Sequence, residues 1–333
     1  MKKGCVVTSP YYQNNALFDL DDKIKNRDNC LLCFYLIKKL FREKGISLST
    51  DDLIPVEKAD FVIYNDMPKV LPEYNAIPKS YLLLFENELI QPENYNVKKH
   101  FYFNKIFTWD NRLDNPEKYI EVRYPQYLPK VKAEALQPTN KKLCTLIASN
   151  KSSHDPRELY SERRRAIRWF ENNHPDDFDL YGIGWTQRTF IRPFGRLNKF
   201  SFMRRMWYRP YSSYRGPIES KYDILAKYKF AICYENSRAF PGYITEKIFD
   251  CFFSLCIPIY LGAPNINDYI PEELYIDKNA FPTYTLLYEF ISTMTSSEYK
   301  TIIERIYNFT ASQNILLFSA ERFAEKIVQN IDI

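Results

Sequence analysis

Several things are scarce in this chain, and each scarcity removes a class of function. Among 333 residues glycine occurs eight times and histidine three times. No Walker loop and no nucleophile elbow is found. His100, His154 and His174 lie far apart, outside any H-E-x-x-H or comparable cluster, so the pattern offers no histidine metal site. No stretch approaches 18 apolar residues, which predicts no transmembrane helix. The N-terminus, MKKGCVVTSPYY, has two lysines but an apolar run only over residues 5–7, too short for a secretory signal. A strong excess of one charge is also missing. Net charge is +5, which suits an anionic ligand such as a nucleotide diphosphate, or a loose hold on an anionic membrane, without indicating nucleic acid. Cysteine numbers seven, an odd count scattered through apolar segments, and this predicts reduced core thiols rather than a disulfide framework. Cys30-x-x-Cys33 sits in an amphipathic helix with no second pair or histidine cluster nearby, which argues against zinc and leaves a redox role as the alternative.

Hydrophobic residues make up 45% and charged residues 26%, the balance of a globular protein. The length fits two domains. Aromatic content of 17%, with 27 Tyr and 24 Phe, serves either sugar-stacking surfaces or an aromatic core. The first half reads as alternating strands (4–8, 59–64, 80–85, 105–109) and a helix over 29–43, which predicts a parallel sheet with covering helices. Residues 128–142 are polar, with two prolines and no periodicity, and read as a linker between domains 1–127 and 143–333. Beyond it come strand 143–148, which delivers Ser149-Asn150 to its carboxyl end, helix 158–171 and strand 178–181. Residues 186–217, rich in Arg, Tyr and Pro, form an irregular excursion. Strand 274–276 and helices 286–294, 297–309 and 320–331 close the chain, the last helix being free to pack back on the first domain.

Residues 228–264, YKFAICYENSRAFPGYITEKIFDCFFSLCIPIYLGAP, are the most informative segment. They read as strand (230–233), polar loop, helix from about Thr245 and apolar strand (257–261), a βαβ unit. On the helix Ile244, Ile248, Cys251 and Phe252 form an apolar stripe for the sheet. Tyr243, Glu246, Lys247 and Asp250 fall on another face, gathered at the helix start. A helix N-terminus carries unpaired N–H groups and partial positive charge, so it suits a phosphate. A carboxylate and an ammonium beside it could hold a ribose and a diphosphate; solvated surface is the plain alternative.

This pattern resembles the donor-binding motif of glycosyltransferase family 10, the α-1,3/4-fucosyltransferases. Phe230, Glu235-Asn236, Tyr243-Ile244-Thr245-Glu246-Lys247, Pro258-Ile259-Tyr260 and Gly262-Ala263-Pro264 match it in order. The resemblance implies a GT-B fold, two doubly wound Rossmann-like domains facing across a cleft, in a bacterial-type member. It further implies GDP-fucose as donor, inverting α-1,3-type transfer to a sugar hydroxyl of an oligosaccharide or glycolipid, with a GlcNAc- or glucose-type acceptor residue in a bacterial surface polysaccharide, and no cofactor or metal. Expected partners exclude nucleic acid and limit membrane association to the periphery, with a cytoplasmic location or one at the inner membrane face. Another GDP-deoxysugar, or a nucleotide-sugar-binding scaffold without turnover, remains as the alternative. The spacer from 237 to 242 is longer than in some members, so a Lewis-type acceptor does not follow.

Inverting transfer needs a base for the acceptor hydroxyl and stabilisation of charge on the leaving diphosphate. Glu86 closes the strand in LLLFENEL and matches the family's strand-end glutamate, which makes it the candidate base, with Glu88 and Asp66 as substitutes. The resemblance implies that the cations at the diphosphate are Lys247 and an arginine at the start of the helix after Ser149-Asn150. Counting back from Trp169-Phe170 favours Arg163, with Arg164 next. Adjacent helical residues project about 100° apart, so at most one or two of the 163–165 run reach one ligand. Tyr243 would meet the base or ribose and Glu246 the ribose hydroxyls, with Thr245 beside them. Asn236 and Glu235 would line the loop, or Glu235 would pair with Arg238. Ser149 and Asn150 complete the expected donor side. Asp177-Phe178-Asp179 spells D-x-D, but it leads into a strand from a turn opened by Pro175, and the turn is the better account.

Overall fold

The computed structural model describes residues 2–136, 140–187, 194–206 and 208–332. The chain forms two compact units: Met1–Leu128 with Pro241–Tyr243 and Gln313–Ile333, and Pro129–Phe240 with Ile244–Ser312. In this division residues 241–243 and 313–333 join the first unit, the latter carrying the last helix that the sequence left free to pack back. The segment read as linker ends early, because Lys142 already pairs with Tyr228 in the second sheet.

The first unit holds a parallel sheet of β1 (Lys3–Val7), β2 (Ser47–Thr50), β3 (Phe61–Asn65), β4 (Ser80–Leu84), β5 (Lys105–Thr108) and β6 (Tyr119–Glu121), in the order β2-β1-β3-β4-β5-β6. Alternation along the strands serves two cores. Val6, Ile63 and Leu83 pack on one face, with Phe34, Ile37 and Phe41 of α1 (Leu32–Glu43). Cys5, Val62, Tyr64, Leu82 and Leu84 pack on the other, with Phe103, which follows the short α2 (Val97–His100). Both faces are buried, as a parallel sheet requires. α1 starts at Leu32, later than the expected residue 29, because Asp28 and Asn29 have φ of 57° and 59°, a conformation a right-handed helix cannot include.

The second unit holds β7 (Lys142–Ile147), β8 (Phe178–Tyr181), β9 (Tyr228–Tyr234), β10 (Ile257–Leu261) and β11 (Ile276–Asp277), all parallel, in the order β11-β10-β9-β7-β8. Its helices are α3 (Tyr160–Asn173), α4 (Ser201–Met206), α5 (Lys221–Leu225), α6 (Glu246–Phe253), α7 (Tyr284–Thr293) and α8 (Ser296–Thr310). The strand expected at 274–276 is shifted to Ile276–Asp277, since Pro271 opens a 3-10 turn over Glu272–Leu274. Of the 186–217 excursion, residues 188–193 and 207 lie outside the described residues. The remainder includes a 3-10 turn (Phe194–Lys199) and α4.

The last helix, α9 (Ala320–Gln329), buries Phe323, Ala324, Ile327 and Val328 in the α1 face of the first unit's core. Gln126 ties the segment down: its N–H donates to Phe318 O at 2.7 Å and its carbonyl accepts from Ala320 N at 2.9 Å. None of the seven cysteines is in a disulfide, and of them Cys30 is exposed.

Candidate functional site

In a doubly wound sheet ligands bind beyond the carboxyl ends of the strands where strand order reverses. In the second unit that point lies between β7 and β9. β7 delivers Ser149 and Asn150 there; β9 delivers Glu235 and Asn236. Gly182 lets the β8 exit approach closely: its φ is +123° and a Cβ would sit 2.0 Å from Ala148 O. Asn150 donates to Gly184 O at 3.0 Å, while its Oδ1 is buried with no hydrogen-bond partner. A buried acceptor of this kind is suited to a ligand N–H or O–H. Ser149 is half-buried beside it.

Glu235 organises the matched motif. Its side chain is fully buried, and its carboxylate accepts from Thr245 N at 2.8 Å, Thr245 Oγ1 at 2.8 Å and Lys247 Nζ at 3.0 Å. Thr245 is the N-cap residue of α6, yet its hydroxyl caps nothing, being turned to Glu235 instead. Gly262 is required by the same packing, since a Cβ there would lie 2.6 Å from Glu235 Cγ. Glu235 thus pairs with Lys247 rather than with Arg238, whose side chain is exposed.

Two cations meet at this strand exit. Arg163 is buried in α3 and its Nη2 donates to Tyr234 O at 2.6 Å, Glu235 O at 2.8 Å and Asn236 Oδ1 at 3.2 Å. Lys247 also donates to Thr245 Oγ1 at 2.7 Å and Glu246 Oε1 at 3.5 Å. Burial works against the Lys247 ammonium, but Glu235 and Glu246 outweigh it and raise its pKa, so it stays charged. Arg164 donates to Lys151 O at 2.6 Å and remains partly exposed. Arg165 pairs with Glu162, and Arg168 donates to Glu171 and to the carbonyls of Arg209 and Pro210.

Glu246, at the first turn of α6, is the half-buried carboxylate of the group, its side chain 39% accessible. Burial pushes its pKa up, and Lys247 with Lys221 overcomes this to hold it well below the ordinary carboxylate range. Lys221, at the start of α5, lies 2.8 Å from Asp250 and 3.8 Å from Glu246. Sequence reasoning missed Lys221, because nothing in its local pattern links it to α6. Asp250 is buried in this ion pair, so it supports α6 and presents nothing to a ligand.

Tyr243 departs from expectation. It precedes α6 instead of lying on its polar face, is 2% exposed, and packs its ring on Trp109 with centroids 4.9 Å apart. The D-x-D carboxylates are held by protein donors. Asp177 accepts from Tyr288 at 2.6 Å, and Asp179 from Lys142 at 2.8 Å, Tyr228 at 2.6 Å and Arg215.

In the first unit, Glu86 follows β4 in a tightly fixed backbone. Asp66 Oδ1 accepts from Phe85 N at 2.8 Å, Glu86 N at 3.1 Å and Asn94 Nδ2 at 2.7 Å. Asn94 also donates to Glu86 O at 3.0 Å, and Trp109 Nε1 to Phe85 O at 2.9 Å. Asn87 Oδ1 closes the turn on Leu89 N and Ile90 N. Asp66 itself has φ of 63°, and its burial raises its pKa against these hydrogen bonds. Asp66 therefore braces Glu86. Glu88 lies 3.9 Å from Arg112.

Residues 186–315 match the family model of glycosyltransferase family 10 (fucosyltransferase), C-terminal part. The α-(1,3)-fucosyltransferase FucT of Helicobacter pylori is 27% identical over 288 residues, which cover 81% of this chain and 54% of that protein; the chain spans about half the length of this curated relative. A crystal structure of an α1,3-fucosyltransferase with GDP-fucose superposes with a TM-score of 0.54 at 16% identity, over 100% of this chain and 91% of the other. An α-glucosyltransferase in complex with UDP and DNA superposes at 0.58 with 11% identity, over 99% of each chain. The fold is thus GT-B. Neighbours with different donors share it, so the donor must be argued from the site.

Proposed function

Starting from residues 186–315 as a glycosyltransferase family 10 domain, we propose that this protein transfers L-fucose from GDP-fucose to a sugar hydroxyl with inversion, in the manner of an α-1,3-fucosyltransferase. The observation that carries the reading is the meeting of Arg163 and Lys247 around Glu235 at the β9 exit and the N-terminus of α6. A site with two cations at the positive end of a helix suits a diphosphate leaving group. In this reading Glu246 accepts hydrogen bonds from the ribose, Asn150 Oδ1 accepts from the nucleotide or sugar, and Arg164 adds charge from the partly exposed face of α3. Glu86 takes the proton of the acceptor hydroxyl. The acceptor oxygen bonds to C1 of fucose as the C1–O bond to the diphosphate breaks, and GDP leaves with the electron pair. Protein cations and the helix terminus supply the charge stabilisation, so the chemistry needs no metal. Among the described residues no helix is long and apolar enough to cross a membrane, and we place the acceptor in a glycan or glycolipid reached from solution or from the membrane periphery.

A donor screen tests this. GDP release is expected with GDP-fucose and an acceptor glycan, but not with GDP-mannose or UDP-sugars. Turnover with a different GDP-deoxysugar would move the reading to that donor. Binding without GDP release from any GDP-sugar would identify a scaffold and overturn the enzymatic reading.

A further inference from the structure

The first sheet has its own reversal of strand order, between β1 and β3. These strands pair with Val7 opposite Tyr64. One residue further in the same register, Thr8 and Asn65 fall side by side at the carboxyl ends. The Thr8 hydroxyl oxygen and Asn65 Oδ1 are both buried, and neither has a hydrogen-bond partner. Native proteins rarely leave such atoms unpaired, and two neighbouring orphans at a switch point mark a place where a polar partner belongs. The backbone here is fixed on both sides. Thr8 N donates to Asp51 Oδ1 at 3.3 Å. Asn65 leads directly into Asp66, whose Oδ1 receives the Glu86 N–H.

The two atoms define what fits. An amide oxygen only accepts, whereas a threonine hydroxyl donates or accepts. A single hydroxyl can donate to Asn65 Oδ1 and accept from Thr8, satisfying both. A phosphate or carboxylate oxygen would leave Asn65 Oδ1 without a donor, so a hydroxyl fits the pair better. We propose that Thr8 and Asn65 form a hydroxyl-binding subsite for a neutral saccharide, next to the turn that carries Glu86. As an acceptor subsite it rests on the proposed glycosyl transfer; as a sugar site it can be tested without it.

The test is saturation-transfer NMR on the full chain, with N-acetylglucosamine and methyl β-glucopyranoside as probes. The wild type is expected to show saturable binding, and Thr8→Val to weaken it about tenfold, the loss of one hydrogen bond, while the melting temperature holds or rises. Asn65→Leu serves as a second variant, accepted only where circular dichroism matches the wild type. Equal saturation of wild type and Thr8→Val would assign the pair to an ordered water and overturn the subsite, as would absence of binding to both sugars by the wild type. Sugar binding without any GDP-sugar turnover would sink the proposed function alone. Turnover that needs Glu86, with an unchanged acceptor KM in Thr8→Val, would sink the subsite alone.

Discussion

Two carboxylates of the second unit differ in what surrounds them, and that difference sets what each substitution does. Glu235 has no exposed surface and is fully engaged by Thr245 and Lys247. Glu246 is 39% exposed between two ammonium groups and can still accept from a ligand. Glu246→Gln should therefore weaken GDP binding, by about 1.5–3 kcal/mol for one charged hydrogen bond, with little change in melting temperature; calorimetry measures it. Lys247→Ala should lose turnover and stability together, because it strands the buried Glu235 charge, a loss of about 3–5 kcal/mol. The double variant Glu235→Gln, Lys247→Met should regain most of the melting temperature, since a neutral replacement of a buried pair is often nearly neutral, yet release no GDP at normal rates. Recovery of both would remove Lys247 from the chemistry. Glu86→Gln keeps its shape and loses its basicity, so kcat should fall by about a hundredfold or more with GDP affinity unchanged. Normal turnover would move the base elsewhere.

At the scale of elements, α6 depends on α5. Lys221 neutralises the Glu246–Asp250 side of the helix start. The Glu246 pKa lies below its ordinary 4.5, so its contribution to stability is complete above that pH and is lost as pH falls through the depressed value. Lys221→Met removes one cause of the depression, so Glu246 should contribute less stability and its protonation, with the loss of GDP binding, should move to higher pH within the acid range. An unshifted acid limb would show Lys221 to be incidental. The β9–α6–β10 unit was legible in sequence because its strands hold the apolar runs FAIC and IPIYL and its helix has one apolar stripe. The edge strands Ser47–Thr50 and Tyr119–Glu121 were not, since short half-buried strands carry no clear period. The same limit applies to the site. Lys247 and Glu246 stand within the motif, but Lys221, the Asp66 brace and the Thr8–Asn65 pair arise from residues brought together only by folding. Tyr243 was misplaced because Gly242, at φ +83° and against Trp109 O, turns the chain before the helix begins. Gly242→Ala should destabilise accordingly, read as a lower melting temperature.

For the molecule as a whole, the charge arrangement predicts that EDTA leaves most activity intact; loss on chelation with recovery on adding manganese would contradict a metal-free leaving-group site. The return of α9 to the first unit has a further consequence, for synthesis. A ribosome delivers residues 1–128 long before residues 313–333, and domains generally fold as they emerge. The α1 side of the first core, with Phe34, Ile37, Phe41 and Phe323 in one cluster, cannot close until the last helix leaves the exit tunnel. The nascent first unit must wait with an apolar face uncovered while the whole second unit is made. A chain stopped at residue 312 should therefore bind a hydrophobic dye and aggregate, and a peptide of residues 313–333 supplied separately should suppress both. The end of this sequence is the closing piece of its beginning.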